Sequence, residues 1–399
     1  MPVCGSPNVL VDKRFVKNMS SYNVEMPTPV KHVTEYPLPA SGQTHEIIAV
    51  PNSNMLLISQ QPNSTLVKVA LDPETGAPVR AVGHFVGTAV DGLHGLCNSQ
   101  VYPGMAWATL QFTSQVVLID PRAGNVDEAP NILKAFTLPT AARGPHVVIE
   151  DGPNLWVSAK DGGQVVRIAL EQPDPYTVYA VERRPIFVAV HKNSGLVFAT
   201  EDQSSSIVWI DPNSGETGQL PIPADIGSTP VGMIAGPDGN VWFVLLGGSG
   251  GGSGKFGRIN SDKKIDWYHL AAGAWSKAAF IHLAWETVAA GNTNASPSLL
   301  LLASSMADSS ATNAVVRVTF DSDMSAVDTE AAAVLPTANC MTHRVAATER
   351  GWYVTELGAC QIAHISSNWT GTGLEAIDEA NDYFSDFGMG ARSRTVEYR

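Results

Sequence analysis

Gly236-Pro-Asp-Gly-Asn-Val-Trp-Phe243, followed by Phe256-Gly-Arg-Ile259, reads as a tight turn, a buried strand, a connection and a further strand. Pro237 presets φ, and Gly239 and Asn240 tolerate positive φ, so this segment opens with turn chemistry. Val241-Trp-Phe-Val-Leu-Leu246 is β-branched, aromatic and aliphatic throughout, as a core strand should be. Weaker copies of this unit recur from end to end, and the fold follows from the repetition.

Seven copies align. Inner strands begin at His45, His94, His146, Ile186, Val231, Ala279 and His343. Second strands follow a turn at 55–59, 106–110, 155–158, 196–200, 241–244, 299–302 and 352–355, and third strands lie at 66–69, 116–119, 165–168, 207–210, 256–259, 315–318 and 362–365. Units of roughly 40–60 residues, most with a Trp-like position in the second strand, predict an all-β, seven-bladed β-propeller over residues 31–366. The seventh unit lacks an outer strand. Thr34-Glu-Tyr-Pro-Leu38 is expected to supply it, so an N-terminal strand closes the ring and removes the last open sheet edge. Residues 1–30 read as an arm and 367–399 as a tail. Gly247-Gly-Ser-Gly-Gly-Gly-Ser-Gly254 reads as a flexible linker engineered in place of a natural loop.

A net charge of −13 argues against nucleic acid, whose phosphates need a basic face. No apolar run approaches the ~20 residues of a membrane span. Met1-Pro-Val-Cys4 does not begin a basic-then-apolar leader, although sequons at Asn18, Asn63, Asn294 and Asn368 fit a secreted protein. Cys4, Cys97, Cys340 and Cys360 lack metal-type spacing. Cys340 and Cys360 fall in one repeat, either as a pair or as buried free thiols.

Chemistry is expected where inner strands start and second strands end, because both face one mouth of the central channel. Four of the ten histidines, His45, His94, His146 and His343, occupy equivalent inner-strand starts. Imidazoles there suit acid–base work near neutral pH. Gln60, Gln111, Lys160, Glu201 and Glu356 end second strands. Phe187, Met233, His282 and Arg344 lie on or beside inner strands. The candidates for catalysis are His343, Glu356, His146 and His94; the remainder, with His45, are candidates to bind substrate. His343 and Glu356 with a further carboxylate could hold Mg²⁺, but a hard cation prefers more oxygen ligands than can be assigned, so the expectation is no metal and no cofactor. Partners are expected to be small hydrophobic substrates. Outside the glycine run there is no GxSxG elbow, and nowhere is there a P-loop, a Rossmann fingerprint or HExxH.

Thr34-Glu-Tyr-Pro-Leu-Pro39, the 236–243 stretch, Gly257-Arg-Ile259 and Glu356 resemble the blade repeat of streptogramin B (virginiamycin B) lyases. That resemblance implies a seven-bladed propeller with Mg²⁺-assisted, histidine-based elimination at the channel mouth, and His343 and Glu356 are its best matches here. The irregular blades, the insert near 286–298 and the arm resemble fungal propellers of secondary metabolism, the hetero-Diels–Alderases of tropolonic sesquiterpene pathways. They imply a metal-free pocket for a tropolone quinone methide and a humulene-type alkene. A non-catalytic ligand- or protein-binding propeller is the third reading.

Overall fold

The structure, a computed structural model, describes residues 22–23, 32–172, 176–182, 184–248, 251–270, 273–287 and 297–369. It is a seven-bladed β-propeller of antiparallel sheets. Blade one runs from the channel outward as Ile47–Ala49, Met55–Gln60, Thr65–Leu71 and Pro78–Phe85, and blades two to six repeat that order. Blade seven takes Thr342–Thr348, Gly351–Glu356 and Gln361–Ser366 from the C-terminal part and Val33–Pro37 as its outer strand, with Thr34 opposite His364 and Tyr36 opposite Ile362. The N-terminal strand therefore closes the ring. One short strand was not anticipated: Tyr22–Asn23, within the expected arm, pairs with Arg80 and Ala81 at the outer edge of blade one. The rest of residues 1–31, the sequons at Asn18 and Asn294, and the tail beyond 369 lie outside the described residues.

The opening stretch shows how a blade is made. Gly239 adopts φ +80°, and its N–H donates to the Gly236 carbonyl at 3.0 Å, closing the turn. Asp238 accepts from the Trp242 indole at 3.1 Å, and a Cβ on Gly236 would lie 2.5 Å from that ring. Trp242 is fully buried and meets Tyr268, Phe320 and Trp285 at centroid distances of 5.0, 5.1 and 5.5 Å. Turn, strand and packing between blades five and six are thus set by one short segment.

The glycine run is packed among its described residues. Gly248 bridges Gly251, and the Gly254 N–H donates to the Ala278 carbonyl at 3.0 Å. A Cβ on Gly252 would sit 2.2 Å from Ala278 backbone. Steric demand therefore requires glycine there.

Cys340 keeps a free thiol, so the Cys340–Cys360 pairing does not form; Cys360 is disulfide-bonded, but not to it.

Candidate functional site

Six of the seven inner strands carry a register shift near their start, for example between Leu93 and Leu96, Pro145 and Val148, and Thr342 and Arg344. Such a bulge leaves a backbone N–H without its ladder partner. A second-strand hydroxyl fills the gap. Ser59, Thr109, Ser158, Thr200 and Thr355 accept from the N–H groups of Glu46, Gly95, Val147, Phe187 and Arg344 at 2.7–3.3 Å. Four of these hydroxyls also donate to the next blade's inner strand: Ser59 to the His94 carbonyl, Thr109 to His146, Ser158 to Ile186 and Thr355 to His45. One column of Ser and Thr thus seals the bulge and staples neighbouring blades.

The residue before each sealed N–H is His45, His94, His146, Ile186 or His343, so the staple sets the histidines side by side. Ring centroids are 5.0 Å apart for His343 and His45, 4.5 Å for His45 and His94, and 4.1 Å for His94 and His146. Nδ1 of His94 donates to the His146 carbonyl at 3.0 Å, and Nδ1 of His146 to the Ile186 carbonyl at 2.9 Å. A carbonyl can only accept, which fixes the Nδ1–H tautomer and leaves each Nε2 as an acceptor. His45 donates from Nε2 to Gln43 at 3.0 Å, and its buried Nδ1 has no partner. His282 accepts from the Val345 N–H through Nδ1 at 3.3 Å.

Burial dominates the titration of this arc. It drives His45 down to about 3, with the Arg344 and Lys160 charges adding to the effect. His94, His146, His282 and His343 are likewise held well below the ordinary imidazole range, first by burial and then by neighbouring positive charge. At neutral pH these are uncharged hydrogen-bonding groups.

The cation among them is Arg344. From blade seven it reaches across the channel to blade four, with Cζ 4.5 Å above the Phe187 ring, and Phe187 in turn lies 5.6 Å from His282. Nε meets Glu46 Oε2 at 3.2 Å, and Nη1 donates to the His343 carbonyl at 2.9 Å. Burial lowers the Arg344 pKa and Glu46 opposes the shift, while burial raises the Glu46 carboxyl and Arg344 opposes that. Nη2 makes none of these bonds and is free to donate to a ligand.

His45, His94, His146, His343, His282, Phe187 and Arg344 therefore come together, and Lys160 acts on them electrostatically. Other expected residues do not join them. Glu356 is fully buried inside blade seven, where Gln361 donates to it at 2.8 Å; burial and then Glu35 push its carboxyl up to about 8. Glu201 likewise turns into blade four, accepting from Ser204 and Ser206 at 2.8 Å. Period-two alternation explains both. Once Thr355 and Thr200 face the bulge, the next residue faces the other way. Met233 is buried in the core between blades, and Gln60 donates to the Pro39 carbonyl at 2.9 Å. Gln111 accepts from Gln61 at the rim.

The pairing of His343 with Glu356 that the lyase resemblance implies around Mg²⁺ is not formed, because Glu356 turns into blade seven. Among the described residues no three His, Cys, Asp or Glu side chains converge as metal ligands. Imidazole nitrogens around a guanidinium are a poor donor set for a hard cation. Glu46 escaped sequence reading, although a signal existed: it follows His45 as Arg344 follows His343, a charged residue where blades two and three carry Gly95 and Val147.

No protein-family model and no curated protein matches the chain. Solved structures do. A streptogramin B lyase is 19% identical, with a TM-score of 0.62 over 83% of this chain and 96% of that one. Virginiamycin B lyase from Staphylococcus aureus is 18% identical, with a TM-score of 0.62 over 84% and 98%. YCF48 bound to D1 peptide is 12% identical, with a TM-score of 0.55 over 87% and 100%. At these identities the likeness is one of fold.

Proposed function

We propose that the chain is a small-molecule enzyme whose channel mouth binds an oxygen-bearing conjugated substrate and promotes its cyclisation by orientation and hydrogen bonding. The observation that carries this reading is Arg344, held across the channel by Glu46 and Phe187 with one N–H corner free, among uncharged imidazoles. A guanidinium donating to a carbonyl oxygen polarises the conjugated system behind it, and a preorganised donor in a water-poor site does so with little reorganisation. Flat imidazole faces suit a planar partner. The reaction favoured is an intermolecular hetero-Diels–Alder addition of a tropolone-type quinone methide to a humulene-type sesquiterpene. Three π bonds become one C–C σ bond, one C–O σ bond and one new π bond, with no net proton transfer, and proximity supplies much of the acceleration.

Adduct formation from these two reactants tests the reading. Arg344→Gln should lower the rate on the order of a hundredfold, while EDTA leaves it unchanged. Loss of activity in EDTA, or an unaffected Arg344→Gln rate, would overturn it. The lyase reading draws on the solved complex of quinupristin with a catalytically inactive histidine-to-alanine virginiamycin B lyase, since this chain gathers histidines at its channel mouth. Opening of quinupristin by this chain in added Mg²⁺ would establish that alternative. Failure to turn over either substrate would favour a binding propeller.

A further inference from the structure

We infer that the mouth is built for an amphiphile: an oxygen-bearing head on Arg344 and an apolar body that leaves over blade two, across Phe112 and Val90. The inference rests on the reading of Arg344 as head-group donor and adds the direction and chemistry of the rest of the ligand.

The rim is made where second strands end, and it differs sharply around the ring. Blades three and four present Lys160, Asp161, Arg184 and Asp202, with Arg184 Nε 3.6 Å from Asp202 Oδ1. An apolar body laid there would strip water from charges. On blade two the corresponding residue is Phe112, 57% exposed, and beside it Val90 is 72% exposed. Phe112 is fixed in place. Its N–H donates to the Asp91 carbonyl at 3.0 Å, one residue beyond Val90. Its ring lies across Gly92, where an added Cβ would be 2.6 Å away. Gly92 adopts φ +75° and stands two residues before His94. The aromatic therefore sits on the turn that leads into His94, at the end of the blade where the inner strands start. Polar neighbours on this side are occupied: the Asp91 carboxylate accepts from the Thr88 N–H at 2.7 Å, and the Gln111 amide takes the Gln61 donor. A ligand lying here covers exposed apolar surface and passes one charge, the Asp91 carboxylate, which keeps the Thr88 N–H, whereas blades three and four present four charged side chains.

Equilibrium titration of the full chain with butyrate and with dodecanoate, followed by calorimetry, separates head from body. Dodecanoate should bind the unaltered protein more tightly than butyrate. Phe112→Ser should weaken dodecanoate about tenfold and leave butyrate unchanged, and Val90→Ser should do the same more weakly. Both residues are exposed, so folding is preserved. Arg344→Lys should weaken both ligands. Equal affinities for the two ligands, or a Phe112→Ser protein that binds dodecanoate as before, overturns the rim inference while leaving the Arg344 reading standing. Arg344→Lys without effect on either ligand overturns the reading itself, and no binding of either by the unaltered chain overturns both.

Discussion

Blade five and the histidine-bearing blades are cut from one repeat and both bury aromatics between blades, as Trp107 of blade two does when it donates to Glu150 of blade three at 2.7 Å, but they differ near the mouth. In blade five the joint is aromatic, with Trp242 packed on Tyr268 of its own blade and on Trp285 and Phe320 of blade six. In blades seven, one, two and three the joint near the mouth is a hydroxyl that bonds across to the next inner strand. Blade five carries Val244 where they carry Thr355, Ser59, Thr109 and Ser158, since Val244 also faces a bulge, between Pro230 and Met233. The contrast separates scaffold from site. Aromatic packing consumes the surface that makes it, whereas a hydrogen-bonded joint leaves the imidazole edges beside it free to meet a ligand.

Trp242→Ala should be the most damaging single change. Removing a fully buried indole, with its Asp238 bond, should cost about 4 kcal/mol by chemical denaturation. Ligand binding by the protein that remains folded should be unchanged, because the indole is remote from Arg344 in the repeat; a matching loss of affinity would break the division between the two regions. On the site side, Arg344→Met strands the Glu46 carboxylate and should cost about 3 kcal/mol, and the double change Glu46→Leu/Arg344→Met should recover most of it. A double variant as unstable as the single one would mean that Arg344 stabilises through packing on Phe187. Ser158→Ala tests the staple. It removes bonds to the Val147 N–H at 3.0 Å and the Ile186 carbonyl at 2.9 Å, and should cost about 1.5 kcal/mol. His146, whose Nδ1 bonds the same Ile186 carbonyl, should then show altered ring resonances by NMR.

The blades were legible because burial on both faces of a strand leaves a strong apolar signal, and turns such as Pro237-Asp-Gly239 punctuate it. Tyr22–Asn23 was invisible because two residues have no period. The histidine arc was legible for the same reason as the blades, through repeat position. Glu201 and Glu356 were misassigned because repeat position gives a height along the channel and not a direction; only the hydroxyl at the preceding residue reveals which way the strand end faces. The Arg344–Glu46 pair joins residues 298 apart in sequence, and ring closure alone brings them together.

Acidity distinguishes the two buried populations of blade seven and the mouth, with the smallest effect per step. His45, held near 3 against an ordinary value of 6.5, binds its proton more readily in the unfolded chain, so its stabilisation is lost as pH falls below 6.5. His94, His146, His282 and His343 act in the same direction. Glu356 runs the other way. Its folded-state pKa, about 8 against an ordinary 4.5, favours folding below 4.5 and loses that contribution as pH rises through 8. Gln361, Glu35 and Cys340 face it; burial, with Glu356 second, raises the Cys340 thiol as well. Each proton can tilt stability by at most about 1.4 kcal/mol per pH unit. Denaturation midpoints measured from pH 5 to 9 should therefore fall at both ends. Glu356→Gln should flatten the alkaline limb and leave the acid limb intact, and His94→Gln should make the acid limb shallower by one of its five histidine contributions and leave the alkaline limb intact. If Glu356→Gln keeps the original alkaline slope, the carboxyl is reached by water in solution and belongs with the mouth after all.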